Sequence, residues 1–305
     1  MLVGTATGDV YPKLEGGKPV GDPVHVCDGR ITGFDPYAGR QRILVSCDVG
    51  ATSQAYVYDA TAGRATAVPG VSGRALWTIN ADGLAYITPG ACELPAPICK
   101  TRLALRDLRT GRDTVIDERY GVATDFRRTL SGITIYRARN NDSFVRDESE
   151  VGTYLVNGTT LFKLSSLRLV DGDKGRWLLE SEDTPTKCCT YLVLKTDTER
   201  RITPPDVQNE KGLAMLPDGR LVAFRPRQGL FEGTIVVYAN NATGVLRTDP
   251  GRFAAHDVVM VDDWLIGFEY SGAPALTLRA YRVTDGAFAS APGNNVSALA
   301  PFPLK

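Results

Sequence analysis

The sequence is short of the groups that most often carry chemistry. Two histidines, His25 and His256, are present in 305 residues, with three methionines and three tryptophans. No CxxC pair accompanies them, so a Cys/His zinc site is not expected, and no metal or cofactor is. No G-x-S-x-G elbow marks a serine hydrolase. Apolar runs long enough to cross a membrane, about 18 residues or more, are missing, so no transmembrane helix is expected. Apolar spacing at i, i+3, i+4 and i+7 is also missing, which argues against helices. Lys+Arg and Asp+Glu both number 35, so no net field favours nucleic acid or an anionic membrane. Nine of the 35 basic residues are lysine, an arginine bias that suggests a GC-rich bacterial source. The opening MLVGTATGDV has neither the basic region nor the apolar core of a signal peptide. If the protein is exported, its leader lies outside this sequence.

What is there is a repeat. In Thr101–Arg112, Leu103 and Leu105 alternate with Ala104 and Arg106, placing both leucines on one face of a strand. Asp107 to Gly111 then turns the chain, and Thr114, Val115 and Ile116 begin a β-branched strand. Similar turns fall at Gly63, Gly111, Gly158, Thr198, Gly244 and Gly286, about 40–48 residues apart, the spacing of a four-stranded propeller blade. A second series lies half a repeat away, at 35–40, 80–83, 171–176, 217–220 and 261–263, each followed by a short apolar strand. Each blade therefore reads as strand A, tight turn, strand B, variable loop, strand C, tight turn, strand D.

The ends of the chain fix the count. Val296–Ala300 reads as an A strand, whereas Leu2–Thr7, Val10–Leu14 and Pro23–Val26 read as B, C and D, with Glu15-Gly16-Gly17 as the C–D turn. Joined tail to head they complete one more blade. The expected fold is all-β, a single seven-bladed β-propeller domain over residues 1–305; a six-bladed propeller is the alternative, but its blades would have to be longer.

The segments YVYDATAGR, LALRDLRTGR and LVLKTDTER, with MLPDGRLVAF, resemble the repeats of TolB-like and WD40-like bacterial β-propellers. The resemblance covers most of the chain and implies the fold. Its motifs build turns, and the Gly-His and Trp-Asp signatures of true WD40 repeats are not among them.

Six cysteines fall in local pairs, which favours an oxidising compartment: secreted, periplasmic or cell-surface. Disulfides Cys27–Cys47 and Cys92–Cys99 are expected, and a vicinal Cys188–Cys189 bond on the working rim. The variable B–C and D–A loops share that rim: 89–100, 140–150, 181–189, 225–233 and 269–274. The A strands are expected to open there at Arg30, Arg74, Tyr120, Arg168, Lys211, His256 and Asn294. This largely cationic set suits an anionic ligand or a carboxylate-bearing glycan. Arg30, Arg74, Tyr120, Lys211 and His256, with Cys188 and Cys189, are the candidate ligand-binding residues. The acidic loop 140–150 and DGDKG at 171–175 read as solvated loop and turn rather than calcium sites. His25 reads as a packing residue near the end of a D strand.

The functional expectation is an exported, non-catalytic binding propeller, a monomer that presents its loop rim to a protein or glycan. The alternative is a channel-mouth lyase or hydrolase acting on a polysaccharide or cyclic ester, with His256, Tyr120 and Arg252 as the catalytic candidates. A structural propeller within a surface assembly is a third reading.

Overall fold

Seven four-stranded antiparallel sheets make up the computed structural model, and the chain is a seven-bladed β-propeller. The structure describes all residues except 38–40, 79–81, 94–97, 121, 130–131, 139–150, 174, 182–188, 228–231, 243, 253–255, 271–275, 294 and 301–305. Side chains of some strand residues, those of Cys92, Cys99, Tyr120, Arg252 and His256 among them, also lie outside the description.

The chain divides into two compact units. The first comprises Met1–Arg128, Gly132–Ser166 and Asn295–Lys305, the second Thr129–Ser131 and Leu167–Asn294. In the first unit, β1 (Leu2–Thr5), β2 (Asp9–Tyr11) and β5 (Val24–His25) form a sheet with the last strand, β30 (Val296–Ala300). Three sheets of consecutive strands follow. The first holds β6 (Arg30–Pro36), β7 (Arg42–Val49), β8 (Thr52–Asp59) and β9 (Arg64–Ser72). The next holds β10 (Ala75–Trp77), β11 (Gly83–Glu93), β12 (Ile98–Asp107) and β13 (Asp113–Tyr120). The third holds β14 (Val122–Thr129), β15 (Gly132–Ala138), β16 (Gly152–Asn157) and β17 (Thr160–Ser165).

The second unit has three sheets. One contains β18 (Arg168–Asp173), β19 (Arg176–Glu180), β20 (Leu192–Lys195) and β21 (Glu199–Arg201). Another contains β22 (Lys211–Met215), β23 (Leu221–Pro226), β24 (Glu232–Tyr238) and β25 (Val245–Arg252). The last contains β26 (His256–Val261), β27 (Trp264–Tyr270), β28 (Leu276–Arg282) and β29 (Phe288–Pro292). A 3-10 turn at Asn240–Ala242 is the one helical element among the described residues, and no helix there is long and apolar enough to cross a membrane.

Short apolar runs make these strands because both faces of each sheet are covered. Ile43 and Val45 of β7 pack with Leu2, Val10 and Ile31, while Leu44 between them packs with Trp77, Leu84 and Ala104 of the following sheet. Leu103 and Leu105 do share a face, against Phe126, Ile133 and Ile135, and Ala104 faces the other way. In the second unit, Leu178, Leu192 and Leu194 meet Leu221, Ala223 and Val236, and Val222 and Ile235 meet Leu265 and Tyr281.

The C–D turns follow the expected local chemistry. Asp59 Oδ1 accepts from the N–H groups of Thr61 and Ala62, and Asp107 Oδ1 from those of Arg109 and Thr110. Gly63 and Gly111 then take φ of 59° and 70°, which glycine adopts without a Cβ clash.

Three sequence expectations need correction. Glu15-Gly16-Gly17 is not the C–D turn itself: it caps a separate hairpin, β3 (Lys13–Glu15) with β4 (Lys18–Val20), inserted between β2 and β5. Successive positive φ at Gly16 and Gly17 suits such a tight hairpin, while Pro12, Pro19 and Pro23 supply no N–H to prolong the main sheet. The segment 89–100 is largely strand, because a register shift between Pro89 and Cys92 absorbs the Pro-Gly pair and β11–β12 pairing resumes beyond it. β13 runs along the lengthened β12 as far as Lys100, so Tyr120 ends a D strand opposite Lys100 rather than opening an A strand.

The two chain ends share one sheet. Leu2, Val3, Gly4 and Thr5 pair with Ala300, Leu299, Ala298 and Val296. Val296, Ala298, Leu299 and Ala300 are all buried. Truncation after Asn295 should therefore lower the free energy of unfolding by about 4 kcal/mol or more, the worth of those side chains returned to water. Denaturant titration checks this, and an unchanged midpoint contradicts it.

Candidate functional site

The connection from β21 to β22, residues 202–210, carries a dense polar network. Pro204 and Pro205 prevent further strand pairing there. Ile202 still donates to Leu192 O at 2.9 Å, but Thr203 turns in, and its Oγ1 accepts from Leu192 N–H at 2.7 Å. The Thr203 hydroxyl in turn donates to Glu210 Oε2 at 2.5 Å. Glu210 is fully buried, and its Oε1 accepts from Arg225 Nε and from the Tyr238 hydroxyl, both at 2.7 Å. Burial pushes the Tyr238 phenol well above its usual range, and the Glu210 carboxylate beside it adds to the shift.

A buried carboxylate with this many donors is stable only as a complete set. Glu210→Ala should cost roughly 3–5 kcal/mol by leaving the Arg225 charge uncompensated, whereas Lys195→Ala, which breaks the exposed pair with Glu199, should cost less than about 1 kcal/mol. Comparable losses for the two variants in denaturant titrations would contradict this.

Cys189 lies beside the network. It is a non-glycine residue at φ 88° and is disulfide-bonded. Its expected partner, Cys188, is outside the described residues. The backbone around it is held from several sides. Ser181 Oγ donates to Cys189 O at 3.4 Å and accepts from Tyr191 N–H at 2.8 Å. Thr190 N–H donates to Asn209 Oδ1 at 3.2 Å, and Glu210 N–H donates to Thr190 O at 3.0 Å. An unfavourable backbone angle persists where its surroundings over-determine it.

In the first unit, Cys27 and Cys47 form the expected disulfide, with Cα atoms 6.6 Å apart across 20 residues. Closing a loop of that length is worth about 3 kcal/mol through the unfolded state. Cys92 and Cys99 are direct partners across β11 and β12, although their side chains are not described.

His25 does not serve as a packing residue. It is exposed, with Nδ1 2.9 Å from Asp9 Oδ1 and Nε2 3.1 Å from Asp28 Oδ1. At the end of the two-residue strand β5, its ring is taken up by Asp9, at the start of β2, and by Asp28, on the connection to β6. The hydrogen bond to Asp9, then that to Asp28, raises its pKa above the ordinary 6.5. A raised value means that the contact stabilises the fold below pH 6.5 and is lost as pH rises through the folded-state pKa. An NMR titration should give a His25 midpoint above 6.5 that falls in Asp9→Asn; a midpoint at or below 6.5 in the parent chain would contradict the pairing.

Arg30 opens β6 and Arg74 directly precedes β10, both exposed, and Lys211 opens β22, also exposed. His256 opens β26 and Arg252 closes β25 in the second unit, while Tyr120 closes β13 in the first. Arg168 opens β18 as expected. Asn294 and the acidic loop, 140–150, lie outside the described residues. Asp171 of the DGDKG turn is committed to backbone, accepting from Gly172 N–H and Met215 N–H, both at 2.8 Å.

Asp35 was not singled out by its sequence. This buried carboxylate ends β6, accepts from Trp77 N–H at 2.7 Å and pairs with Arg128 Nε at 2.9 Å. Burial raises its pKa against the opposing charge of Arg128. A recurring Asp at the end of an A strand, Asp35 and Asp171, is the signal that could have found it.

No protein-family model matches the sequence, and no curated protein matches it either. Solved structures match at the level of the fold. A prolyl endopeptidase is 15% identical over 95% of this chain and 46% of its own, with a TM-score of 0.63. A puromycin-hydrolyzing peptidase of Mycobacterium tuberculosis is 13% identical over 100% of this chain and 54% of its own, with a TM-score of 0.62. The β-propeller domain of the trilobed protease of Pyrococcus furiosus is 13% identical over 82% of this chain and 77% of its own, with a TM-score of 0.52. The chain thus spans about half the length of the first two. At these identities the shared property is the propeller, and the resemblance read from the sequence holds at that level.

Proposed function

We propose that residues 1–305 form one exported, non-catalytic binding domain, a monomer that takes a protein or glycan ligand on the B–C and D–A ends of its sheets. The observation that carries this reading is the rigidity of the connections around Cys189. Ser181, Thr190, Asn209 and Glu210 are spent on holding backbone, including one unfavourable φ, at the loop end of two adjacent sheets. Rigid loops bind with less entropy lost on association. The Cys27–Cys47 bond supports a periplasmic or extracellular location. The lyase or hydrolase reading depends on His256, Tyr120 and Arg252, whose side chains are outside the described residues, so no described geometry favours it.

A protein contact at the opposite end is favoured by a separate observation. Among the described residues, the exposed large apolar side chains, Val20, Leu108, Val115, Phe162, Val245, Leu246 and Phe288, all lie in C–D connections or early in D strands. Exposed apolar groups that share one place in a repeat suit a partner surface.

Surface plasmon resonance of the full chain over neutral and uronic acid-bearing polysaccharides tests the leading reading, with an assay for newly released reducing or unsaturated ends. Saturable binding without new ends, weakened several-fold by Asn209→Ala and untouched by Phe162→Ser, is expected. New chain ends would establish the lyase or hydrolase reading instead. Sensitivity to Phe162→Ser alone would move the site to the C–D end.

A further inference from the structure

Among the described residues, the loop end of the sheets β18–β21 and β22–β25 exposes more cations than carboxylates. Its two buried carboxylates are spent internally: Glu210 on Arg225, Tyr238 and Thr203, and Glu180 Oε2 on Gly212 N–H at 2.9 Å. Arg225 is consumed by the same network, with its Nη2 on the Tyr238 hydroxyl at 2.8 Å. Three exposed cations remain, Arg201, Lys211 and Arg227, and none has a carboxylate partner among the described residues. Asp206, on the connection between Arg201 and Lys211, is an exposed acid.

Arg201 is already oriented. Its Nε donates to Thr203 O at 3.1 Å, and its guanidinium carbon stands 4.6 Å from the centroid of the Tyr191 ring. An arginine fixed by one hydrogen bond and an aromatic face loses little freedom when it forks onto a planar anion. Tyr191 is in turn held through Ser181, in the frame that fixes Cys189. Lys211 follows Glu210 directly, so the buried network sets where its backbone starts.

We propose that this end of the second unit binds a carboxylate-bearing glycan, with Arg201 and Lys211 as the specificity-determining cations and Arg227, just past β23, as a further cation. The proposal rests on the binding reading above and names its ligand class. A polyuronate matches the observations better than an acidic protein. Protein interfaces concentrate aromatic and aliphatic anchors at their centres. The exposed large apolar side chains described for this chain all lie toward the C–D ends instead. A repeating sugar acid needs only spaced cations and hydrogen-bonding groups, which this rim supplies.

Isothermal titration of the full chain with polygalacturonate, its fully methyl-esterified form and polyglutamate tests the proposal. Polygalacturonate should bind, its methyl ester should not, and polyglutamate should bind at least roughly tenfold more weakly. Arg201→Gln and Lys211→Gln should each weaken polygalacturonate by roughly tenfold, the loss of one charge-assisted contact, with unchanged thermal midpoints. Arg109→Gln, in a C–D turn of the first unit, controls for nonspecific charge and should leave affinity unchanged. Equal binding of the methyl ester, no binding of polygalacturonate, or indifference to both rim variants overturns the proposal. Tighter binding of polyglutamate with the same variant sensitivity overturns it in favour of an acidic peptide. If Asn209→Ala weakens polygalacturonate while Arg201→Gln and Lys211→Gln do not, this assignment fails and the rim reading survives. If chain ends are released, the rim reading itself fails.

Discussion

Each four-stranded sheet begins on a strand, such as β6, β10, β18 or β22, that has one edge with no further strand to pair with among the described residues. Buried amides and carbonyls left in that state are costly, so the innermost strands need acceptors and donors from elsewhere. The chain answers with side chains from the neighbouring blade. Asp35 of β6 accepts from Trp77 N–H of β10, and Asp171 of β18 accepts from Met215 N–H of β22. Glu180 of β19 accepts from Gly212 N–H, and the Ser297 hydroxyl of β30 donates to Ile31 O at 2.6 Å. These bonds join one sheet to the next at a fixed height, which apolar packing alone does not specify.

That constraint explains where charge is buried. A carboxylate in a sheet interface would ordinarily be a liability, but Asp35 and Glu210 each satisfy several groups at once. Asp35 links three sheets of the first unit through Trp77 N–H and Arg128, and the Arg128 guanidinium carbon also stands 5.5 Å from the centre of the Tyr37 ring. Glu210 links two sheets of the second through Thr203, Arg225 and Tyr238. Inner strands also approach closely. A Cβ at Gly212 would stand 2.8 Å from both Val170 methyl carbons, so the absent side chain lets β22 lie against β18.

What the sequence disclosed follows from the range of the interactions. Turn positions, blade count and the pairing of Val296–Ala300 with the amino-terminal strand were legible because each is encoded within a few residues or by a period. The Cys27–Cys47 bond was legible because both cysteines flank one A–B hairpin. The bonds from Asp35 and Asp171 were not, since they join a side chain to a backbone amide 42 and 44 residues away and leave no mark on hydrophobic periodicity. The β3–β4 hairpin was missed because Gly16-Gly17 has the chemistry of any tight turn. The roles of Arg201 and Tyr191 were hidden for a related reason, as their stacking depends on how Thr203 and Pro204 bend the chain after β21.

The two ends of the strands are governed by different physics, and this bears on where function resides. At the C–D end the turn is fixed by its own residues: Asp59, Asp107 and Asp285 accept from amides two or three positions on. Replacing such an aspartate undoes the turn, so the sequence there has little freedom. At the B–C and D–A end the connections are held by distant partners, as Asn209 holds Thr190 and Ser181 holds Tyr191. Of their exposed residues, Asp206 and Lys211 contribute little to that support, whereas Arg201 holds Thr203 O and covers the Tyr191 ring. Side chains that the fold does not require are free to vary while the blades remain the same, and exposed Lys211 is of that kind.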